Sequence, residues 1–536
     1  MMTFLMVHGY YLQGASSNLF VYHTCKSLIE LGHDVILVCQ ETDYWSYDII
    51  SEVWNYDNEQ ECFYNIFRRE TTYRGTCSLY RPTIGDILPV FTYEAQTKFV
   101  TKEISFTSDK NLEAYITNTV MAINQICSQH SIDVVWAHHC ILQPYIVSSL
   151  TELSPNVVRI ATIHGNGLHC ISKKNSLKAY AINGLKGFDA ICFTSHDIQN
   201  EFVRILQTPD ALTDDIDMYE WEKKMCVIPP GVDVKMFHPM TEEESTSKLL
   251  KDILQHAKSH SQMGPQLITE EHYWETDILE LFRLSTADTN LHPFVLYYGR
   301  YLWTKGIQMI AITIPLIMQR FPNARFIFTG FGPSQTYVET LITYLHHGRE
   351  ELFLESIQHP DLWDAQISST SVLYIQSFLD WMQDPKCREK YFYAARNEIQ
   401  KSVYFTGYLD QPILSKLVRS VDLTVFPFIV PESFGQVVIE SLSSGVLPIM
   451  TTYTALSEVY AIYQDSLQSF FPNMPFKPIS LDEDLIFSMK RCIVDVLETL
   501  EKMTDLERKE LRSILYSVTS SVFSWESMIQ KYLHFT

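Results

Sequence analysis

Between positions 431 and 440 the chain reads Pro-Glu-Ser-Phe-Gly-Gln-Val-Val-Ile-Glu, and Glu432 and Glu440 frame the segment. The apolar run Leu423 to Pro427 reads as a strand, and a helix begins near Phe434. Glu440 then lies within about two turns of the start of that helix. A helix N-terminus offers unpaired N–H groups and partial positive charge, a natural seat for a diphosphate. Glu432 is the wrong group for phosphate but the right one for sugar hydroxyls, which donate to a carboxylate. Glu440 is able to take two adjacent ribose hydroxyls at once. Alone, Glu432 would read as a solvated residue stabilised by the helix dipole; the whole segment reads as a site.

A second cluster is independent of the first. Tyr298-Gly299-Arg300 closes a strand, and Lys305-Gly306 opens a helix. One guanidinium and one ammonium there can neutralise a diphosphate without a metal ion. Each charge-assisted hydrogen bond is worth roughly 1.5–3 kcal/mol. The same charges would stabilise a leaving diphosphate as its bond to a sugar breaks. Gly330-Phe331-Gly332-Pro333 is not a dinucleotide fingerprint, because it lacks the third glycine of G-x-G-x-x-G and puts Pro where the helix should begin.

These residues need strand ends to hold them, and the chain supplies two similar series. The first opens with the strand Phe4 to Val7, a loop from Gly9 to Ser16, and a helix with Val21, Cys25, Leu28 and Ile29 at helical spacing. Gly32-His33 ends that helix, and Asp34 to Cys39 is the next strand, so the unit is βαβ and the sheet parallel. Further strands are read at Val134–Trp136, Val158–Ile163, Ala190–Phe193 and Met225–Ile228. Pro229-Pro230-Gly231 breaks the rhythm, and the polar residues 240–290 read as a linker with a helical insertion. The second series begins at Phe294–Tyr298. Its next helix carries Ile307, Ile310, Ala311, Ile314 and Ile317 on one stripe. Arg325–Thr329, Val403–Thr406, Leu423–Pro427 and Leu447–Met450 add four strands, with a helical insertion over 345–400. The expected fold class is α/β, with two doubly wound Rossmann-like domains facing a cleft and ligands at the carboxyl ends of the strands.

The segment from Glu432 to Glu440 resembles the E-x7-E signature of retaining glycosyltransferases of the GT-B kind, family 4 in particular. Phe434-Gly435 fits the family's E-x-F-G turn, and Arg300 and Lys305 fit its G-R-x(4)-K-G pattern. The resemblance implies that Glu432 faces the donor sugar, Glu440 binds the ribose, and Arg300 with Lys305 binds the diphosphate. It implies that Gly299, Gly330 and Gly332 line the nucleotide pocket, and that Phe405-Thr406-Gly407-Tyr408 forms the base-proximal loop. Gln13-Gly14-Ala15-Ser16 stands where the family carries a glycine pair, with one glycine missing, and Gly14 and Ala15 are expected beside phosphate. Thr162-Ile163-His164-Gly165 matches a position whose His lies near the donor sugar. There His164 would hydrogen-bond a hydroxyl or steady positive charge near the anomeric carbon. Ile228 to Asp233 resembles the family's interdomain junction, and Phe523-Ser524-Trp525 its C-terminal segment. Thr454-Ala455-Leu456-Ser457-Glu458 departs from the glycine pair usual before that Glu.

The implied domains are 1–232 together with a returning helix at 513–536, a linker and insertion at 233–290, and a nucleotide-sugar domain at 291–512. The implied reaction is metal-independent, cofactor-free transfer of a sugar from a nucleoside diphosphate donor to an unspecified acceptor, with retention. The rivals are a GT-B epimerase or phosphorylase, and a non-catalytic sugar-nucleotide-binding subunit.

Bulk composition agrees with such an enzyme. The chain has 536 residues, more than one hydrophobic core accommodates, with 46% hydrophobic and 19% charged residues. A net charge of −22 argues against nucleic acid as a partner. The odd number of cysteines, 11, without a CxxC pair, suits a reducing compartment, so a cytoplasmic, soluble or peripherally membrane-bound protein is expected. His138-His139-Cys140 and His169-Cys170 lack a second pair at zinc spacing, and no metal site is expected. The opening Phe4-Leu5-Met6-Val7 is too short for a signal segment. Lys173, Lys174, Lys178 and Lys186 stand in a stretch without acids, read as a solvated helix face or else a patch for an anionic acceptor or lipid headgroup.

Overall fold

Phe4, Leu5, Met6 and Val7 are all buried in the computed structural model, and they feed two different cores. Leu5 and Val7 pack with Ile36, Val38 and Val135, whereas Phe4 and Met6 pack with Val35, Leu37 and Trp136. A strand covered on both faces belongs in the middle of a parallel sheet with helices on either side. Each of these side chains contributes roughly 1.5–3 kcal/mol by leaving water. The structure describes residues 1–12, 16–57, 59–91, 99–208, 216–261, 276–288, 293–363, 369–396, 398–432 and 434–536.

The first unit comprises Met1–Gly231 and Phe523–Thr536. Its strands are β1 (Thr3–Val7), β2 (Asp34–Val38), β3 (Glu52–Asp57), β4 (Cys62–Arg68), β5 (Cys77–Arg81), β6 (Leu88–Val90), β7 (Thr101–Glu103), β8 (Val134–His138), β9 (Val158–Ile163), β10 (Ala190–Phe193) and β11 (Met225–Val227). Nine of them form one sheet in the order β11-β10-β9-β8-β1-β2-β5-β3-β4, and β6 and β7 pair separately. Every pairing is parallel except the β3–β4 hairpin. The sequence reading leaves residues 40–130 without elements, yet β3 to β7 and the helix Asp109–Gln129 lie there. β4 is an edge strand with most of its side chains exposed or half-buried, so it carries no run of core residues to read.

The second unit comprises Val232–Val522. Its strands β12 (Phe294–Tyr298), β13 (Arg325–Thr329), β14 (Val403–Gly407), β15 (Leu423–Phe426) and β16 (Leu447–Met450) form a parallel sheet in the order β14-β13-β12-β15-β16. The helix Ile307–Met318, expected to carry one apolar stripe, is buried on every side. The reason is a second layer outside it, in which Tyr391 of the helix Pro385–Ala395 donates to the Ile312 carbonyl at 2.8 Å.

Residues 233–290, read as a linker with a helical insertion, belong to the second unit where they are described, and the helices Thr246–Ser261 and Ile278–Ser285 lie there. The Asp277 N–H donates to the Thr406 carbonyl at 2.8 Å, at the β14 edge. Glu244 holds Arg419 at 2.9 Å, with both side chains largely buried. The C-terminal boundary also differs from the expected 513. The helix Asp505–Val522 lies in the second unit, and the chain returns to the first at Phe523. Trp525, Met528, Ile529 and Tyr532 then fill the core that holds Phe4 and Met6.

Candidate functional site

In both sheets the strand order reverses beside the first strand of the series, and crevices for ligands open at such reversals. In the second unit that place is between β12 and β15. The loop after β12 carries Gly299, Arg300 and Lys305, and the loop after β15 carries Glu432 and Phe434. Lys305 Nζ forms an ion pair with Glu432 Oε2 and lies 4.9 Å from the centre of the Phe428 ring. The two loops are also tied through the backbone, the Ile429 N–H donating to the Thr304 carbonyl at 3.0 Å. Thr454 Oγ1 donates to the Glu432 carbonyl at 3.2 Å, which draws the departing Thr454–Glu458 segment into the site. Arg300 projects into solvent.

Two helices start at this reversal, Ile307–Met318 after Gly306 and Gln436–Ser443 after Gly435. Both N-caps are left-handed glycines, with φ of 71° and 80°, and neither helix is capped by a side chain. A Cβ at Gly306 would fall 2.0 Å from the Pro427 carbonyl oxygen, so the β12 and β15 loops approach too closely for any other residue. The outcome is two sets of helix N–H groups without side-chain caps beside one lysine and one arginine, an arrangement suited to a diphosphate.

Glu440 is buried, and the loss of water pushes its pKa up to about 8, with the Tyr298 hydroxyl drawing it partly back. The same Tyr298 hydroxyl donates to the Val437 carbonyl at 2.6 Å. A buried carboxyl of this kind is protonated at neutral pH until hydrogen-bond donors reach it.

Gly299, Gly330 and Gly332 lie where β12 and β13 end. The Gly299 N–H donates to the Thr329 carbonyl at 3.0 Å, and the Gly330 N–H to the Gly407 carbonyl at 2.9 Å. Just beyond, Phe331 and Tyr408 meet edge to face at 5.9 Å. Sequence reasoning named Tyr408 without this partner. Gly14 and Ala15 lie outside the described residues.

In the first unit the order reverses between β1 and β8. His8 follows β1, His138 ends β8, His139 follows it, and His164 follows β9. The rings of His139 and His164 are 5.0 Å apart and those of His138 and His164 5.7 Å apart. Burial, followed by the neighbouring imidazoles, takes His138 and His139 well below the usual histidine range and His164 down to about 3, and burial takes His8 down to about 4 against hydrogen bonds with Asn18 and Tyr11 that raise it. All four are therefore neutral. His139 has φ of 68°, is fully buried, and has no hydrogen-bond partner on either ring nitrogen. A β-region residue would not turn the chain this way, and strain of this kind gathers at functional sites. Sequence reasoning weighed His138 and His139 only as zinc ligands. The signal available was their place at the end of an apolar run of strand length.

The lysine cluster is not a basic patch. Lys173 pairs with Glu103 at 2.9 Å, Lys174 with Asp109 at 2.8 Å, and buried Lys178 donates to the Thr208 carbonyl at 3.0 Å. The acids come from elements distant in sequence, which is why a stretch without local acids looked basic. Lys173 and Lys186 are exposed, and of these Lys173 is held in its ion pair with Glu103. Among the described residues no helix is long and apolar enough to cross a membrane.

Residues 385–466, which include Glu432 and Glu440, match the family described as Glycosyl transferases group 1. An uncharacterized glycosyltransferase of Methanocaldococcus jannaschii is 23% identical over 186 residues, 35% of this chain. That match spans 33% of the relative's own length. The solved sucrose-phosphate synthase of Thermosynechococcus elongatus superposes with a TM-score of 0.51 at 14% identity, covering 100% of this chain and 98% of that one. The N-terminal domain of Candida albicans trehalose-6-phosphate phosphatase gives 0.54 at 14% identity, over 100% and 96% of the two chains. HepE of Anabaena, solved in complex with UDP and glucose, gives 0.50 at 12% identity, over 100% and 99%. With two parallel sheets of this topology, the likeness makes the architecture the two-domain Rossmann-like GT-B fold.

Proposed function

We propose that this chain is a glycosyltransferase that takes a sugar from a nucleoside diphosphate donor and passes it, with retention and without a metal ion, to an acceptor hydroxyl. The carrying observation is the Lys305–Glu432 ion pair, set at the reversal of the second sheet between two helix N-termini that lack side-chain caps. An acid beside a diphosphate site would repel the ligand unless the acid served another part of it. In this reading the donor's diphosphate takes Lys305 away from Glu432, and the freed carboxylate accepts hydrogen bonds from the sugar hydroxyls. Arg300 swings in from solvent to the same phosphates. Together the two cations and the helix N-termini stabilise the diphosphate as it leaves.

Glu440, starved of donors in the free protein, takes the ribose diol. Phe331 and Tyr408 supply faces and edges for the base. The resemblance to the retaining signature supports retention, with the acceptor attacking on the side the diphosphate leaves. On the acceptor side, the two unpartnered nitrogens of His139 suit a hydroxyl-rich ligand.

The test is titration of the intact protein with UDP-, GDP- and ADP-sugars, repeated on Glu440→Ala, followed by product analysis with added acceptors. The reading requires at least one nucleotide sugar to bind, with the affinity reduced by Glu440→Ala. Absence of binding to all three classes overturns it. Turnover of a donor without any acceptor would assign the site to an epimerase, and binding without turnover by any acceptor to a non-catalytic subunit.

A further inference from the structure

His138 Nε2 lies 2.9 Å from Met6 Sδ, and His138 Nδ1 lies 3.4 Å from His164 Nε2. The three residues come from adjacent parallel strands and their ends, Met6 pairing in register with Trp136 and His138 with Thr162. Aromatic rings enclose the contact. Trp136 stacks near His138, and Phe20 lies edge-on to both His138 and His164. His138 is fully buried, as is Met6, so neither takes a partner from water.

A thioether sulfur accepts hydrogen bonds and has no proton to donate. If His138 Nε2 were bare, its lone pair would face the lone pairs of Met6 at 2.9 Å. The Nε2 of His138 therefore carries the proton and donates to sulfur. A neutral imidazole has one N–H, which leaves His138 Nδ1 as an acceptor. His164 Nε2 faces that acceptor and must carry its own proton. The Nδ1 of His164 is then a bare lone pair. No hydrogen bond among the described residues uses it, and it is not among the buried nitrogens lacking partners.

We propose that Met6 and His138 are positioning residues that fix His164 in its Nε2–H tautomer, so that His164 meets a substrate hydroxyl as a hydrogen-bond acceptor. The direction of the hydrogen bond is set by a sulfur atom two residues away in the relay. A hydroxyl with a hydrogen to give is accepted at this position, and an ether or carbonyl oxygen is refused. The substrate half of the inference rests on the glycosyltransferase reading; the tautomer half does not.

The full-length protein labelled with 15N at histidine tests both halves by long-range 1H–15N NMR, with His164→Gln identifying the His164 signals. The expected spectrum has His164 protonated on Nε2 alone. Met6→Leu, which keeps the volume and removes the acceptor, should convert this single form into a mixture of both tautomers. Selenomethionine at position 6 should preserve it. A wild-type His164 protonated on Nδ1, or a tautomer unmoved by Met6→Leu, overturns the relay. Addition of glucose, or of whichever nucleotide sugar binds, should shift the bare Nδ1 resonance as it accepts a hydroxyl hydrogen. A resonance that stays in place while one of these probes is bound overturns the substrate half. Failure of all nucleotide sugars to bind, with the Nε2–H form intact, would instead count against the glycosyltransferase reading.

Discussion

Glu440 sits where a carboxylate is hardest to keep ionised, enclosed by protein with one phenolic hydroxyl beside it. Its pKa, raised to about 8 by burial, has two measurable consequences. Because the folded value lies above the unfolded one, stability is highest below the ordinary carboxyl range and is lost as pH rises through about 8. The difference between the two values is worth roughly 1.4 kcal/mol for every pH unit it spans. Glu440→Gln should flatten this decline, which runs from the ordinary carboxyl range up to about 8, in melts recorded from pH 5 to pH 9. Two ribose hydroxyls donating to Glu440 would return it to the ionised form, so nucleotide binding at pH 7 should release up to one proton. Calorimetry in buffers of different ionisation enthalpy reads that proton directly, and Glu440→Gln should abolish it.

At the neighbouring position, Glu432→Ala frees Lys305 from its ion pair. We expect that variant to bind nucleoside diphosphate as well as the wild type or up to about fivefold tighter, the scale of a half-exposed ion pair. Transfer of the sugar should nonetheless fail. Arg300→Ala removes a charge from the phosphates and should weaken the same ligand by about 1.5–3 kcal/mol. Equal affinities of the two variants for UDP would contradict the assignment.

The elements around the site are held by close backbone approaches rather than by side-chain caps. Gly306 starts the helix Ile307–Met318 in the left-handed region, with the Pro427 carbonyl where a Cβ would stand. Gly306→Ala must therefore separate the loops after β12 and β15, and it should cost about 1–3 kcal/mol. Urea unfolding measures the loss, and it should be accompanied by weaker diphosphate binding because Lys305 and Glu432 ride on those loops. A variant as stable as the wild type would show that the two loops can part without cost. The uninterrupted burial of the helix Ile307–Met318 was not legible in its sequence, because its outer face is covered by residues some eighty positions away. Apolar spacing records which face meets the sheet and says nothing of a second covering layer.

At the scale of the whole molecule, the chain leaves the first unit at Gly231 and returns to it at Phe523. The returning segment places Trp525, Met528, Ile529 and Tyr532 in the core of Phe4 and Met6, and Tyr532 lies 3.1 Å from Thr162 Oγ1. Ending the chain at Val522 removes these four and buried Phe523, five apolar side chains each worth roughly 1.5–3 kcal/mol. Hydrogen exchange should then show lost protection across residues 1–231, with the strands of the second unit unchanged. Uniform loss across both units would mean that the two fold as one.

The sequence by itself determined the parallel αβ architecture, since apolar runs of strand length alternate with helical periodicity in two series, and covalent order alone places Glu432 and Glu440 on one loop and helix. It also located Arg300, Lys305 and His164 at strand ends, which are read from where apolar runs stop. Pairings between elements far apart in the chain were decided only by the tertiary structure. Lys305 meets Glu432 across 127 positions, Lys173 and Lys174 are neutralised by acids from other elements, and His138 reaches both Met6 and His164. Local spacing carries no record of such contacts, because they depend on which strands become neighbours when the sheet is wound.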